Sequence, residues 1–203
     1  MNYLAHAYLS FDHPQVLAGN LISDFVKGKK KSGFLPGIQK GIELHRSIDQ
    51  YTDSHPATKE AKQVFRNTYR LYSGAFVDVV YDHFLANDEN EFSESSLFEF
   101  TGRIYLVMES YLDQVPPPFA RMFYYMQKEN WLFHYRSVWG IEKSFGGLVR
   151  RAAYLTESDT ACKIFETHYQ LLGDCYRQFW KDMKPFAFDT FHSLLNPGPG
   201  NLS

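Results

Sequence analysis

Between Phe100 and Leu112 the apolar side chains fall at Phe100, Ile104, Val107, Met108, Tyr111 and Leu112. This three-and-four spacing lines one face of a helix and does not arise from the alternation of a strand. The same period runs through Ala61, Val64, Phe65, Thr68 and Tyr72, and again through Ile164, His168, Leu171, Leu172, Cys175, Phe179 and Met183, which predicts two more helices. The punctuation agrees: Pro56 suits a first helical turn, Thr156 with Asp159 resembles an N-terminal cap, and Pro116 to Pro118 impose an extended break. Val77, Val79 and Val80 come nearest to strand composition, but Asp78, Asp82 and His83 around them fit a helix better. The expected class is all-α, a single compact helical bundle over residues 1–195. The tail 196–203, NPGPGNLS, holds too much Pro and Gly to sustain a packed element. GKKKSG, residues 28–33, is expected to be a flexible connection. It superficially resembles a phosphate-binding loop, but Phe34-Leu35 stand where that loop needs Lys followed by Ser or Thr.

Composition adds bounds to this pattern. A chain of 203 residues with 44% apolar and 17% aromatic side chains can fill one core and is not a disordered segment. Its 21 Lys and Arg against 23 Asp and Glu provide no general field for nucleic acid or an anionic membrane. Cys162 and Cys175 are not spaced as a redox pair or zinc knuckle, as expected in a reducing cytoplasm. The opening MNYLAHAYLS is neither a basic leader nor a long apolar segment, so export and membrane anchoring are not expected.

Chemistry concentrates in a few places. His45, Asp49 and Asp53 follow one another at four-residue steps, so a helix stacks them on one slowly drifting face while Ile42 and Ile48 pack elsewhere. An imidazole with carboxylates is a ligand set for manganese, zinc or iron, and the adjacent Arg46 suits a phosphate oxygen. A solvated face with Arg46 in a salt bridge is the plainer alternative. Asp78 and Asp82 lie one turn apart with His83 beside the second, all among apolar and aromatic neighbours. Carboxylates there are costly unless they bind a cation or are fully hydrogen-bonded. The alternative is an Asp that caps another helix and a His that donates to a carbonyl. Asp24 and His6 occupy similarly apolar segments, and Asn20 shares a face with Asp24, either as its hydrogen-bonding partner or as support for a ligand. His134, His168 and His192 read as core histidines.

The chain contains no H-E-x-x-H, no G-x-S-x-G and no pair of Glu-x-x-His motifs, which argues against zinc protease, serine esterase and ferritin-like di-iron chemistry. A His/Asp set scattered over several helices suits hydrolysis by metal-activated water.

The blocks MNYLAHAYLS, GNLISDFVKG, GIELHRSIDQYTDSHP, DVVYDHFLA and the weaker WLFHYR run in order along the first two-thirds of the chain. In these blocks it resembles the acyl carrier protein phosphodiesterase family, regarded as divergent relatives of the HD-type metal phosphohydrolases. The resemblance implies hydrolysis of the phosphodiester that joins 4′-phosphopantetheine to the serine of holo acyl carrier protein, with manganese as the metal. The matching positions are His6, Asp24, His45, Arg46, Asp49, Asp53, Asp78, Asp82 and His83. On that basis Asp24, His45, Asp82 and His83 are expected to supply most metal ligands with His6 in reserve. Arg46 is expected to bind a non-bridging oxygen, and Asp49, Asp53 and Asp78 to serve catalysis around them. HD enzymes carry a His-Asp dipeptide whereas this chain reads Asp82-His83, so ligand roles do not carry over from that wider superfamily. The same centre could instead serve a small phosphodiester or nucleotide, and a non-catalytic module that binds acyl carrier protein is the alternative of another class. Lys29 to Lys31 could attract an acidic carrier, although a solvated loop is the simpler reading.

Overall fold

The computed structural model describes residues 1–196. They form α1 (Tyr3–Tyr8), α2 (Pro14–Ile22), α3 (Pro36–Ser54), α4 (Pro56–Tyr69), α5 (Ser73–Ala86), α6 (Glu94–Glu109), α7 (Pro117–Lys128), α8 (Trp131–His134), α9 (Val138–Arg151), α10 (Asp159–Thr167) and α11 (Tyr169–Leu195). No strand occurs among the described residues, and none of their helices is long and apolar enough to cross a membrane. The expected tail, apart from Asn196, lies outside the described residues.

Proline sets several starts. α2, α3, α4 and α7 each carry Pro in the first turn, where its missing N–H forfeits no helical bond. Histidine completes two of these starts: His13 Nδ1 accepts from the Val16 N–H at 3.3 Å and His55 Nδ1 from the Ala57 N–H at 3.2 Å. Three expected boundaries shift. The stripe reaching Tyr72 leaves the α-helix at Tyr69, because Arg70 turns to φ 48° and leads into a 3-10 turn. The stripe reaching Leu112 ends at Glu109, and Leu112 falls in the 3-10 turn Leu112–Gln114. The long period from Ile164 is two helices broken at His168, with α10 starting at Asp159 and Glu157 rather than Thr156 accepting the Thr160 N–H. GKKKSG is a 3-10 turn, Gly28–Gly33, in which Lys31 pairs with Glu43, so it is an ordered connection rather than a free one.

One crossing positions the site. α2 lies along α3, and a Cβ added at Gly19 would stand 2.0 Å from the Ile38 carbonyl oxygen, while one at Gly41 would stand 2.2 Å from that of Val16. Only glycine permits this approach. It brings the residue after Gly19, Asn20, within reach of His45, one turn past Gly41. α5 runs through the interior with Phe76, Val77, Val79, Val80, Tyr81 and Leu85 buried, packed by α1, α4, α9 and α11. Its Asp82 is fully buried and takes up the N-terminus of α1: Oδ2 accepts from the Leu4 N–H at 2.7 Å, and Oδ1 from the N–H groups of Ala5 at 3.2 Å and Asn2 at 3.3 Å. α1 has no side-chain cap of its own, so the orphan donors of its first turn are satisfied from another helix.

Candidate functional site

α1 contributes His6, α3 contributes His45 and Asp49, and the 3-10 turn Ser23–Phe25 after α2 contributes Asp24. The imidazoles of His6 and His45 are stacked, centroids 3.9 Å apart and planes 13° from parallel. Both are buried, at 2% and 5% exposure, whereas the side chains of Asp49 and Asp24 are 41% and 69% exposed. The site therefore has a dry back wall of imidazole and an open carboxylate front.

Asn20 orders the back wall. Its side-chain N–H groups donate to the His6 carbonyl at 2.9 Å and the Ser10 hydroxyl at 3.0 Å, which leaves Oδ1 as the acceptor facing His6 Nδ1 at 2.7 Å. Its backbone oxygen faces His45 Nδ1 at 2.7 Å. Each Nδ1 therefore carries a proton, and each Nε2 is the nitrogen left to bind something else. His6 Nε2 lies 3.2 Å from Asp49 Oδ1, and His45 Nε2 lies 3.0 Å from Asp49 Oδ2 and 3.3 Å from Asp24 Oδ1. These are close contacts without hydrogen-bond geometry, and both nitrogens are buried without a partner in that sense. Two neutral imidazoles would turn lone pairs toward carboxylate oxygens, an arrangement that only a cation between them relieves.

A proton is one such cation. Burial together with the neighbouring His45 pushes the His6 pKa down to about 4. Burial acts the same way on His45, but the carboxylates of Asp24 and Asp49 outweigh it and lift its pKa to about 9. Asp49 is held far below the usual carboxylate range, since His45 and His6 override its burial, and Asp24 is lowered chiefly by His45. A divalent metal is the other cation. His6, His45 and Asp49 can offer ligand atoms that all lie within 4.8 Å of one another, and two imidazoles with a carboxylate suit a first-row divalent ion. The hydrogen bonds from each Nδ1 to Asn20 are the outer support such ligands ordinarily have. The donor set therefore fits a metal.

The other expected residues are placed differently. The Met1 amino group lies 3.6 Å from Asp49 Oδ1 and 2.9 Å from Asp78 Oδ1, so Asp78 borders the cluster through that ammonium. Asp53 turns away and pairs with Lys62 at 2.6 Å. Arg46 is exposed and donates to the Val26 carbonyl at 3.2 Å. Asp82 and His83 are not brought into the cluster. The Asp82 carboxylate is engaged by the three N–H groups of α1. His83 Nδ1 faces the Tyr135 carbonyl at 2.8 Å and Nε2 the Tyr169 hydroxyl at 3.0 Å. The capping and carbonyl-bonded alternative describes this pair. His134 and His168 are half-buried and His192 is exposed, so they are not core residues as expected.

Fold and site define an all-helical protein that gathers two imidazoles and two carboxylates from separate helices and a turn into one open-fronted cluster. The chain belongs to the acyl carrier protein phosphodiesterase family, whose model matches residues 1–183 and so spans every residue of that cluster. Proteins named acyl carrier protein phosphodiesterase from Escherichia coli O45:K1 and from Enterobacter sp. are each 34% identical over 184 residues, and one from Salmonella agona is 32% identical. In each case the match covers 90% of this chain and 95% of the relative. No solved structure matches the chain, and the expected likeness to the HD-type fold is not confirmed by one.

Proposed function

We propose that the chain hydrolyses the phosphodiester joining 4′-phosphopantetheine to the serine of holo acyl carrier protein, using a divalent metal, manganese foremost, held by His6, His45 and Asp49 with Asp24 beside them. Membership of the family and the names of its relatives support the substrate. The observation that carries the metal is the pair of buried Nε2 atoms facing one carboxylate with no hydrogen-bond geometry between them. When bound, such an ion lowers the pKa of water and screens phosphate charge.

The residues of the chain do the rest. With an ion at the Nε2 atoms, His6 and His45 would be neutral with their protons on Nδ1, directed to Asn20, and both Nε2 lone pairs would be turned to that ion. Asp24, 69% exposed, stands at the solvent edge, where a carboxylate can take a proton from attacking water. Arg46 spends one N–H on Val26 and keeps others for a non-bridging oxygen. The test incubates metal-stripped protein and holo acyl carrier protein with and without manganese, and follows the carrier by intact mass. Loss of the prosthetic group with manganese is expected, abolished in Asp49→Asn and retained in Asp53→Asn. An unchanged carrier mass with the wild type and manganese overturns the reading.

A further inference from the structure

A cleft of about 380 Å³ has Phe25, Met122, Trp131 and Trp139 in its lining. Two stretches of chain tie it to the site. Asp24 reaches His45 while Phe25 lines the cleft, and the Met1 amino group reaches Asp49 while Asn2 and Tyr3 line the cleft. Consecutive Cα atoms are about 3.8 Å apart, so the cleft wall and the cluster are neighbours at both places. Arg150 and Arg151 also line the cleft.

A phosphodiester held at the cluster has two substituents. If the proposed function holds, one is a folded carrier protein, too bulky for such a cleft, and the other is a slender arm of methylenes and amides. Aromatic and thioether walls with a few polar groups are suited to a ligand of that kind, within the usual volume of small-ligand pockets. Arg150 and Arg151 in the lining add the donor forks that phosphate oxygens prefer. We infer that this cleft is the subsite for the pantetheine arm of the substrate, with Trp131 and Trp139 against the arm.

The fold supplies a clean test. A Cβ at Gly147, which lines the cleft on α9, would meet only the Arg150 guanidinium, at 3.7 Å, so Gly147→Leu adds volume to the cleft without a backbone clash. Trp139, 47% exposed, can be removed as Trp139→Ala with little loss of core. D-pantetheine is titrated into the protein while tryptophan fluorescence is followed, Trp180 serving as an internal reference because it is buried and bonded to Glu91. The expected result is a saturable change in the wild type, with affinity weakened ~10-fold or more in both variants and a matching rise in KM for holo carrier. Pantetheine binding without carrier hydrolysis keeps the cleft assignment and removes the proposed function. Carrier hydrolysis with no pantetheine response, or with unaltered KM in both folded variants, overturns the cleft assignment and leaves the function standing.

Discussion

Asn20 shows what a single residue contributes to the site. One side chain and its own carbonyl set the tautomer of two histidines that lie 14 positions before it and 25 after it. Replacing it by Ala removes an acceptor from buried His6 Nδ1 and frees the ring to turn. Asn20→Ala is expected to weaken metal binding by ~10 to 100-fold, the usual effect of losing an outer support. Isothermal titration of manganese into metal-stripped protein measures it, and unaltered affinity in a folded variant shows that Asn20 does not orient the ligands. Asn20, Asp24, His6, His45 and Asp49 all stand out in the sequence as polar residues at helical spacing or in apolar surroundings. The central place of Asp49 does not, because a four-residue step from His45 looks the same for a solvated carboxylate as for one that two imidazoles converge on.

Among the helices, α1 and α5 show how a buried polar pair finds partners far away in the sequence. Asp82 and His83 sit among Val79, Val80, Tyr81, Phe84 and Leu85, where the cost of burial is met by either a cation or full hydrogen bonding. The structure meets that cost with the first turn of α1, some 78 positions away in sequence, and with the Tyr135 carbonyl and Tyr169 hydroxyl. Burial raises the Asp82 pKa to about 7 against the pull of the N–H groups of Leu4, Ala5 and Asn2. Asp82→Ala leaves those donors buried and unpaired, and is expected to cost about 2 to 4 kcal/mol, more than an exposed cap and in line with orphaned buried donors. Urea denaturation measures it. Metal affinity per folded molecule is expected to stay near the wild type as long as α1 holds His6 in place. A direct ligand role for Asp82 predicts instead loss of binding at near-normal stability.

Across the whole molecule, the loop after α5 joins the first and last of the described helices. The Glu91 carboxylate, its side chain only 8% exposed, accepts from Trp180 Nε1 at 2.9 Å, from Lys184 Nζ at 2.6 and 2.9 Å, and from the Tyr8 hydroxyl, linking α1 to α11. Burial alone would raise its pKa, but Lys184, Tyr8 and Trp180 together lower it below its ordinary 4.5. A depressed carboxylate contributes stability that is present above the unfolded-state value and lost as pH falls through the folded one. Thermal stability is therefore expected to decline from about pH 4.5 downward, and Glu91→Gln to blunt that decline while costing about 1 to 3 kcal/mol at neutral pH, toward the low end because Lys184 is 43% exposed. Melting curves for both proteins from pH 3 to 7 decide it, and parallel pH profiles rule Glu91 out as a source of the acid sensitivity.

The all-α class, the start of α4 at Pro56 and the family were readable along the chain because they depend on short-range regularities: the 3.6-residue period, proline in a first turn, and blocks of residues in a set order. Helix ends were less so, since a stripe of apolar residues continues through the 3-10 turns at Arg70–Tyr72 and Leu112–Gln114 without a change of period. Which polar residues meet was decided only in three dimensions. Gly19 against Gly41 lets α2 and α3 approach closely enough for Asn20 to reach His45, and Asp82 receives N–H groups from the first turn of α1. The physical reason is the same in both cases: a buried polar group needs a partner, the sequence displays the need, and the partner comes from whichever distant element packs against it.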